Sequence, residues 1–187
     1  MKRLFLTLVT MSMLFSVAAQ SGKTSNYPKG KKVLVAYFSA SGVTAEAAQK
    51  LANVTNGDLY AITPATAYSA ADLDWHNQQS RSSVEMRNAD ARPQLADHNA
   101  HVEDYDVIYL GYPIWWYTAP RIINSFVEAY NFTGKMIIPF ATSGGSTIDQ
   151  SVKDLYKAYP DYKWTAGILL NGATEKNIRQ TLDKRAW

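Results

Sequence analysis

The chain has 187 residues, enough for one domain with a full hydrophobic core, and no cysteine, which excludes disulfide bonds, thiol nucleophiles and cysteine-bound metals. Its formal net charge is +3, but two of its 19 basic residues, Lys2 and Arg3, lie at the start of an apolar leader. Residues 20–187 therefore carry 17 basic against 16 acidic side chains, a balance that argues against a nucleic-acid-binding surface.

Residues 1–19 have the pattern of a secretory signal peptide. Two basic residues precede the apolar residues 4–17, and small residues at 17–19 predict cleavage before Gln20. The apolar stretch is shorter than the roughly 20 residues that a membrane-spanning helix needs. We therefore predict an exported protein, periplasmic or secreted, that keeps no stable membrane anchor after cleavage. Residues 20–30, rich in polar residues and glycine, are predicted to form a flexible tether.

The predicted domain, residues 31–187, begins with a strand that is buried on both faces, the apolar run at residues 33–38. A loop with three hydroxyl-bearing residues around Gly42 follows, and a helix then runs to about Val54. The unpaired N–H groups and the dipole of a helix N-terminus attract an anion, and a glycine lets the backbone approach it. The loop therefore predicts a phosphate site, although an ordinary turn with a capping hydroxyl has the same residues.

A second strand is predicted at residues 58–62, and a polar connector at residues 64–104 follows it. Within this connector, a capping-box pattern at residues 69–72 predicts the start of a helix. This helix should continue through Trp75 and end by residues 91–93, where a proline occurs.

Residues 107–111 predict a third buried strand, which leads into an unusually aromatic loop at residues 112–117. Thr118 is predicted to cap the next helix, with Pro120 in its first turn. The loop therefore connects a buried strand directly to an amphipathic helix.

Residues 135–140 predict a fourth strand, which is followed by a loop of hydroxyl-bearing residues and two glycines. Ser146 and Asp149 form a second capping-box pattern and predict the start of another helix. A fifth strand at residues 164–170 and a last helix at residues 174–184 complete the pattern.

Five apolar strands that alternate with helices predict an α/β fold, a doubly wound parallel sheet covered by helices on both faces. Ligands of such sheets bind beyond the carboxyl ends of the strands, where the strand order reverses. Three loops should meet at this edge: residues 39–44, 111–118 and 142–147. Together they suit an amphiphilic mononucleotide, since they offer groups for a phosphate and for an aromatic ring.

The segments GYPIWW at residues 111–116 and PFATSGGS at residues 139–146, taken with the first loop, resemble the flavodoxin-like family of short FMN-binding bacterial proteins. The resemblance covers about residues 31–185. It implies a flavodoxin-like doubly wound fold of three layers, with a five-stranded parallel sheet in the order 2-1-3-4-5.

In that family the first loop holds the FMN phosphate, the second lies along the isoalloxazine ring, and the third covers the other side. The cofactor-binding residues that the resemblance implies are Ser39, Ala40, Ser41, Gly42, Val43, Thr44, Pro113, Ile114, Trp115, Trp116, Thr142, Ser143, Gly144 and Gly145. Stacking of Trp115 or Trp116 on the ring would contribute about 0.5–1.5 kcal/mol beyond the burial of area. The third loop contains no aromatic residue, so one face of the ring should stay open to a second substrate.

The sequence therefore predicts an FMN-binding redox protein in which the flavin, and no catalytic side chain, supplies the chemistry. Its electron donor and acceptor stay unidentified, and a quinone, a nitro compound and a protein partner are all open. An electron carrier and an NADH- or NADPH-dependent reductase are both compatible with these motifs. Carrier flavodoxins are strongly acidic, whereas residues 20–187 of this chain carry nearly balanced charge.

A function of another class also stays open, namely an exported binding module of this fold that holds no flavin, because export separates the chain from cytosolic FMN. A serine hydrolase is excluded, because the sequence lacks Gly-x-Ser-x-Gly and has no histidine after His101. His98 and His101 lie in the polar connector and are interpreted as surface residues, so no metal site is predicted.

Overall fold

The computed structural model of the protein describes Pro28 and residues 30–185. The predicted signal peptide and nearly all of the predicted tether lie outside these residues. The strands are β1 Val33–Tyr37, β2 Asp58–Ala61, β3 Val107–Pro113, β4 Met136–Thr142, β5 Lys163–Trp164 and β6 Ile168–Leu169. The α-helices are α1 Val43–Thr55, α2 Arg81–Arg87, α3 Arg121–Ala129, α4 Asp149–Ala158 and α5 Glu175–Asp183. Within the described part of the chain, no helix combines the length and the apolar character that crossing a bilayer requires.

The strands form one parallel sheet in the order β2-β1-β3-β4-β5, and β6 pairs with β4 beyond the end of β5. This order confirms the predicted flavodoxin-like, doubly wound sheet. In the central register, Tyr37 of β1 lies opposite Gly111 of β3, and Gly111 lies opposite Phe140 of β4. The carboxyl ends of these three strands therefore meet at one edge of the sheet.

Helices cover both faces of the sheet, and β1 shows how the sequence encodes this arrangement. Val33 and Val35 join the hydrophobic core beneath α1 and α5, whereas Leu34 and Ala36 join the core beneath α3 and α4. Successive side chains of a strand point to opposite faces, so a strand between two helical layers must be apolar at every position. This explains the continuous apolar runs that mark the strands in the sequence.

The prediction of a single fifth strand at residues 164–170 is wrong, because two short strands occur there and residues 165–167 interrupt them. Gly167 indicates the cause. A Cβ atom at this position would lie 2.7 Å from Cδ1 of Ile148 and 2.9 Å from Cγ2 of Val152. A side chain at this position would force Ile148 and Val152 to shift, and the hydrogen-bonded ladder with β4 is interrupted beside this glycine.

The predicted helix of the connector is also largely wrong, because α2 occupies only Arg81–Arg87. The capping-box contacts do form, with the amide of Ser69 donating to Asp72 at 2.8 Å and the amide of Asp72 donating to Ser69 at 3.2 Å. They close a turn instead of starting a helix. The side chain of Asp74 accepts from the amide of His76 at 3.1 Å, and such local bonds compete with helix formation.

The other two predicted caps differ from the structure as well. The residue before α3 is Pro120, and Thr118 is instead hydrogen-bonded to Trp115. The residue before α4 is Ile148, and the amide of Ser146 donates to the hydroxyl of Ser143 at 2.7 Å. In both cases the hydroxyl-bearing residue belongs to the loop at the sheet edge, where it shapes the candidate site.

Candidate functional site

Thr142, the last residue of β4, joins the three loops that the sequence places at the sheet edge. Its buried hydroxyl lies 2.7 Å from the buried hydroxyl of Thr44, in the first turn of α1. Its carbonyl accepts from the amide of Ile114 at 2.8 Å, just beyond β3. The loops after β1, β3 and β4 are therefore held together through one residue.

The loop after β1 presents backbone donors at the N-terminus of α1. Gly42 has a φ of 89°, a left-handed conformation that favours glycine, and its amide donates to the hydroxyl of Ser39 at 3.1 Å. The first helical hydrogen bond runs from the amide of Glu46 to the carbonyl of Gly42 at 3.0 Å. The amides of residues 43–45 thus have no acceptor inside the helix, and the helix dipole adds partial positive charge there.

The aromatic loop after β3 closes a tight turn at residues 115–118, here called the aromatic turn. Trp115 and Thr118 exchange two backbone hydrogen bonds of 3.0 Å each. The two central residues, Trp116 and Tyr117, have φ values of 45° and 67°, as in turns that usually contain glycine or asparagine. Their side chains are 43% and 69% exposed. A backbone that large residues seldom adopt therefore holds two aromatic side chains out of the core, an arrangement typical of functional sites.

Trp115 anchors the aromatic turn in the core. Its ring meets the rings of Phe38 and Tyr68 edge-on, with centroid separations of 5.6 Å and 5.4 Å. Tyr68 is fixed in turn, since the Arg81 guanidinium lies 4.0 Å from its ring centroid and its hydroxyl donates to Glu85. Burial and the Glu85 carboxylate raise the pKa of Tyr68 far above its ordinary value, so this hydroxyl stays a donor.

The loop after β4 is held in place by Asn171, a residue that was not among the predicted site residues. The side chain of Asn171 accepts from the amide of Ser143 at 2.7 Å and donates to the carbonyl of Ser143 at 2.8 Å. The hydroxyl of Ser143 accepts from the amides of Gly145 and Ser146 at 3.1 Å and 2.7 Å. The sequence did contain a signal for this role, because an asparagine directly follows the predicted fifth strand and so lies at the same sheet edge.

A cavity of about 500 Å³ lies over this edge of the sheet. Its lining residues are Ala40, Ser41, Leu73, Trp75, Ser82, Pro113, Ile114, Trp115, Trp116, Tyr117 and Ser146. The volume is in the range of pockets that hold cofactors and other small molecules. The loops after β1 and β3 thus share one concave surface with part of the connector.

The predicted cofactor-binding residues fall into several groups in the structure. The lining of the cavity includes Ala40, Ser41, Pro113, Ile114, Trp115 and Trp116. Ser39 and Gly42 border a neighbouring cavity of about 280 Å³ on the β2 side of the first loop, and Val43 is exposed beside them. Thr44 and Thr142 are buried behind the loops, and Ser143, Gly144 and Gly145 form the loop after β4. Leu73, Trp75, Ser82, Tyr117 and Ser146 line the cavity without having been predicted.

A family model described as flavodoxin matches residues 32–185 of the chain. A candidate flavoprotein from Bacteroides eggerthii DSM 20697 is 54% identical in sequence, with a TM-score of 0.80 over 82% of this chain and 96% of that one. A second, from Bacteroides uniformis ATCC 8492, is 52% identical, with a TM-score of 0.81 over 83% and 100% of the two chains.

More distant structures share the fold of this chain. A flavoprotein from Lactobacillus acidophilus NCFM, solved in complex with FMN, is 19% identical, with a TM-score of 0.61 over 82% of this chain and 99% of that one. At this identity the likeness concerns the fold alone. No curated protein sequence matches the chain.

Proposed function

Because the chain belongs to the flavodoxin family, we propose that it is an exported redox protein that binds FMN and either carries electrons or reduces a small acceptor. One observation carries the proposal: Ala40 and Ser41, in the loop that leads into the N-terminus of α1, line the same cavity as Trp115, Trp116 and Tyr117. FMN consists of a ribityl phosphate chain and a planar isoalloxazine ring with apolar faces. The two parts of the site suit these two parts of the ligand.

The loop after β1 fits the phosphate of FMN. The amides of residues 43–45 and the positive end of the α1 dipole would hold the dianion, and the hydroxyl of Ser41 can add a donor. The hydroxyl of Thr44 bonds to Thr142 inside the fold, so we assign it to fixing the loop. A Cβ atom at position 42 would contact no other atom within 4 Å, so the requirement for glycine there comes from the φ of 89° and not from a lack of space.

The loop after β3 fits the ring of FMN, which supplies the electron-transfer chemistry when it is bound. Pro113 and Ile114 would line the ring, and the aromatic turn would cover it. Because the edge contacts of Trp115 already fix the turn, little conformational freedom is lost on binding. Aromatic side chains that exclude water from the ring also strengthen the polar interactions inside the site.

We expect FMN to bind the purified protein with quenching of flavin fluorescence that saturates at one equivalent. Riboflavin, which lacks the phosphate, should bind at least about tenfold more weakly, because charge-assisted hydrogen bonds contribute about 1.5–3 kcal/mol each. Parallel fluorescence titrations of the two flavins in one buffer measure this difference. Equal affinities would contradict the phosphate site, and a lack of saturable FMN binding would contradict the proposed function as a whole.

We further expect export to remove residues 1–19. The intact mass of the protein recovered from the periplasm or the medium should correspond to a chain that begins at Gln20. Leu8→Asp places a charge in the apolar stretch and should leave the uncleaved chain inside the cell. Thr24→Asp, which adds the same charge after the cleavage site, is the matched control and should be exported. A cytosolic, uncleaved parent chain would refute this part of the proposal.

A further inference from the structure

One part of the cavity wall comes from the connector and not from the loops of the sheet edge. This part consists of Leu73, Trp75 and Ser82. Trp75 is 63% exposed, although tryptophan is on average one of the more buried residue types. A large apolar side chain at the mouth of a cavity, left in contact with water, is well placed to contact a ligand.

The segment that carries Trp75 is fixed by hydrogen bonds. Ser69 and Asp72 close one turn, and the backbone carbonyl of Asp72 accepts from the amide of Ser82 at 3.0 Å. The next turn is closed by the Asp74 side chain, which accepts from the amide of His76. The ring of His76 lies against the Trp75 indole, with their centroids 3.5 Å apart at an interplanar angle of 33°. The indole is thus supported on one side, and the residue still borders the cavity.

The chemistry of the lining limits what can bind there. All eleven lining residues are uncharged, and four of them are aromatic: Trp75, Trp115, Trp116 and Tyr117. A charged ligand would lose hydration in this cavity without gaining an ion pair from its lining. A neutral planar ring gains stacking and the burial of apolar area.

We propose that Trp75 is a stacking platform for a neutral planar aromatic acceptor, which binds in the cavity beside the cofactor. This inference rests on the proposed function, since it names the class of small molecule that the flavin site admits. It also assigns the connector a role in the site. The loop after β4 supplies no aromatic residue, and the connector supplies one from elsewhere in the chain.

The test uses menadione, a neutral naphthoquinone, and the oxidised FMN-loaded protein, so that no electrons are transferred during the titration. Isothermal titration calorimetry should show menadione binding at least about fivefold more weakly to Trp75→Ala, because an aromatic stacking partner is lost. Trp75→Phe should keep the affinity within about threefold, since a ring remains. Tyr156→Ala is the matched control, because Tyr156 is 57% exposed on α4 and lies outside this cavity.

FMN titrations of the same variants separate this proposal from its alternatives. The FMN dissociation constant of Trp75→Ala should stay within about twofold of the parent value. A large loss of FMN affinity with unchanged menadione binding would instead show that Trp75 contacts the cofactor, and it would overturn the proposal. Equal menadione affinities for the parent and Trp75→Ala would also overturn it. NAD⁺, a planar but charged ligand, should bind more weakly than menadione, and the reverse order would refute the argument from the lining. If the parent chain takes up no FMN, the proposed function fails, and menadione titrations of the flavin-free protein then decide on Trp75 alone.

Discussion

Replacing Gly111 by alanine should destabilise the fold by about 3 kcal/mol, at the upper end of the usual cost of overpacking a core. A Cβ atom at Gly111 would lie 2.1 Å from Cζ of Phe140 and 2.5 Å from its Cε1. Phe140 is fully buried and is the register partner of Gly111 on β4, so its rigid ring has no space to move into. Urea denaturation measures the loss, which corresponds to a fall in melting temperature of about 6–12 °C for a domain of this size.

Two further variants show whether the ring of Phe140 is the cause. In a Phe140→Leu background, where the side chain is shorter, the same glycine substitution should cost less than about 1 kcal/mol, since contacting residues couple. Gly144→Ala is the matched control for stability, because a Cβ there meets no atom within 4 Å, and it should change stability by less than about 0.5 kcal/mol. A small effect of Gly111→Ala in the parent chain would mean that β3 and β4 can separate locally.

The sheet could be predicted from the sequence because its signal is local. Each central strand lies between two helical layers, and its residues must be apolar at every position, as Val33, Leu34, Val35 and Ala36 are. Right-handed crossovers then leave few possible strand orders. The interruption between β5 and β6 could not be predicted in this way, since it depends on how closely Gly167 approaches Ile148.

The connector was predicted less well because its residues support two local structures. Ser69 and Asp72 make the same hydrogen bonds in a turn as in a helix cap, so the pattern alone does not decide between them. The Asp74 side chain then bonds to the amide of His76 and keeps that backbone out of the helix. The turn that forms instead of a helix determines the position of Trp75, which lies at the cavity.

The loops of the candidate site could be located from the sequence, but the role of each residue in them could not be assigned. Two adjacent tryptophans look alike in a sequence. In the structure Trp115 is an anchor with two edge contacts, whereas Trp116 is exposed because its φ of 45° turns the chain back. Asn171 lies 28 residues from Ser143, and only the paired strand ends bring the two together. Long-range contacts of this kind leave no periodic signal in the chain.

The buried pair Thr44 and Thr142 allows a sharp test of how the site is assembled. Their hydroxyls lie 2.7 Å apart and link α1 to the end of β4. Thr142→Val keeps the shape of the side chain but leaves the Thr44 hydroxyl buried without this partner, which should cost about 2 kcal/mol. Thr44→Val should cost a similar amount. The double variant should be destabilised by less than about 1 kcal/mol, because both polar atoms are removed together.

Thr147→Val is the control for these variants, because Thr147 is exposed in the same loop and should change stability by less than about 0.5 kcal/mol. If the double variant loses as much as the sum of the single variants, the two hydroxyls do not act as a pair. Urea denaturation of the four proteins beside the parent chain gives the coupling energy directly.

FMN titrations of the same variants distinguish a structural hydroxyl from a phosphate ligand. If Thr44 fixes the loop, each single variant should bind FMN severalfold more weakly, because fewer molecules have the three loops assembled. The double variant should then return to within about threefold of the parent affinity, since the loops pack together again without a buried unpaired hydroxyl. If Thr44 instead donates to the phosphate, the double variant should bind FMN as weakly as Thr44→Val does. The assembly of the loops and the recognition of the phosphate are thus separated by one pair of isosteric substitutions.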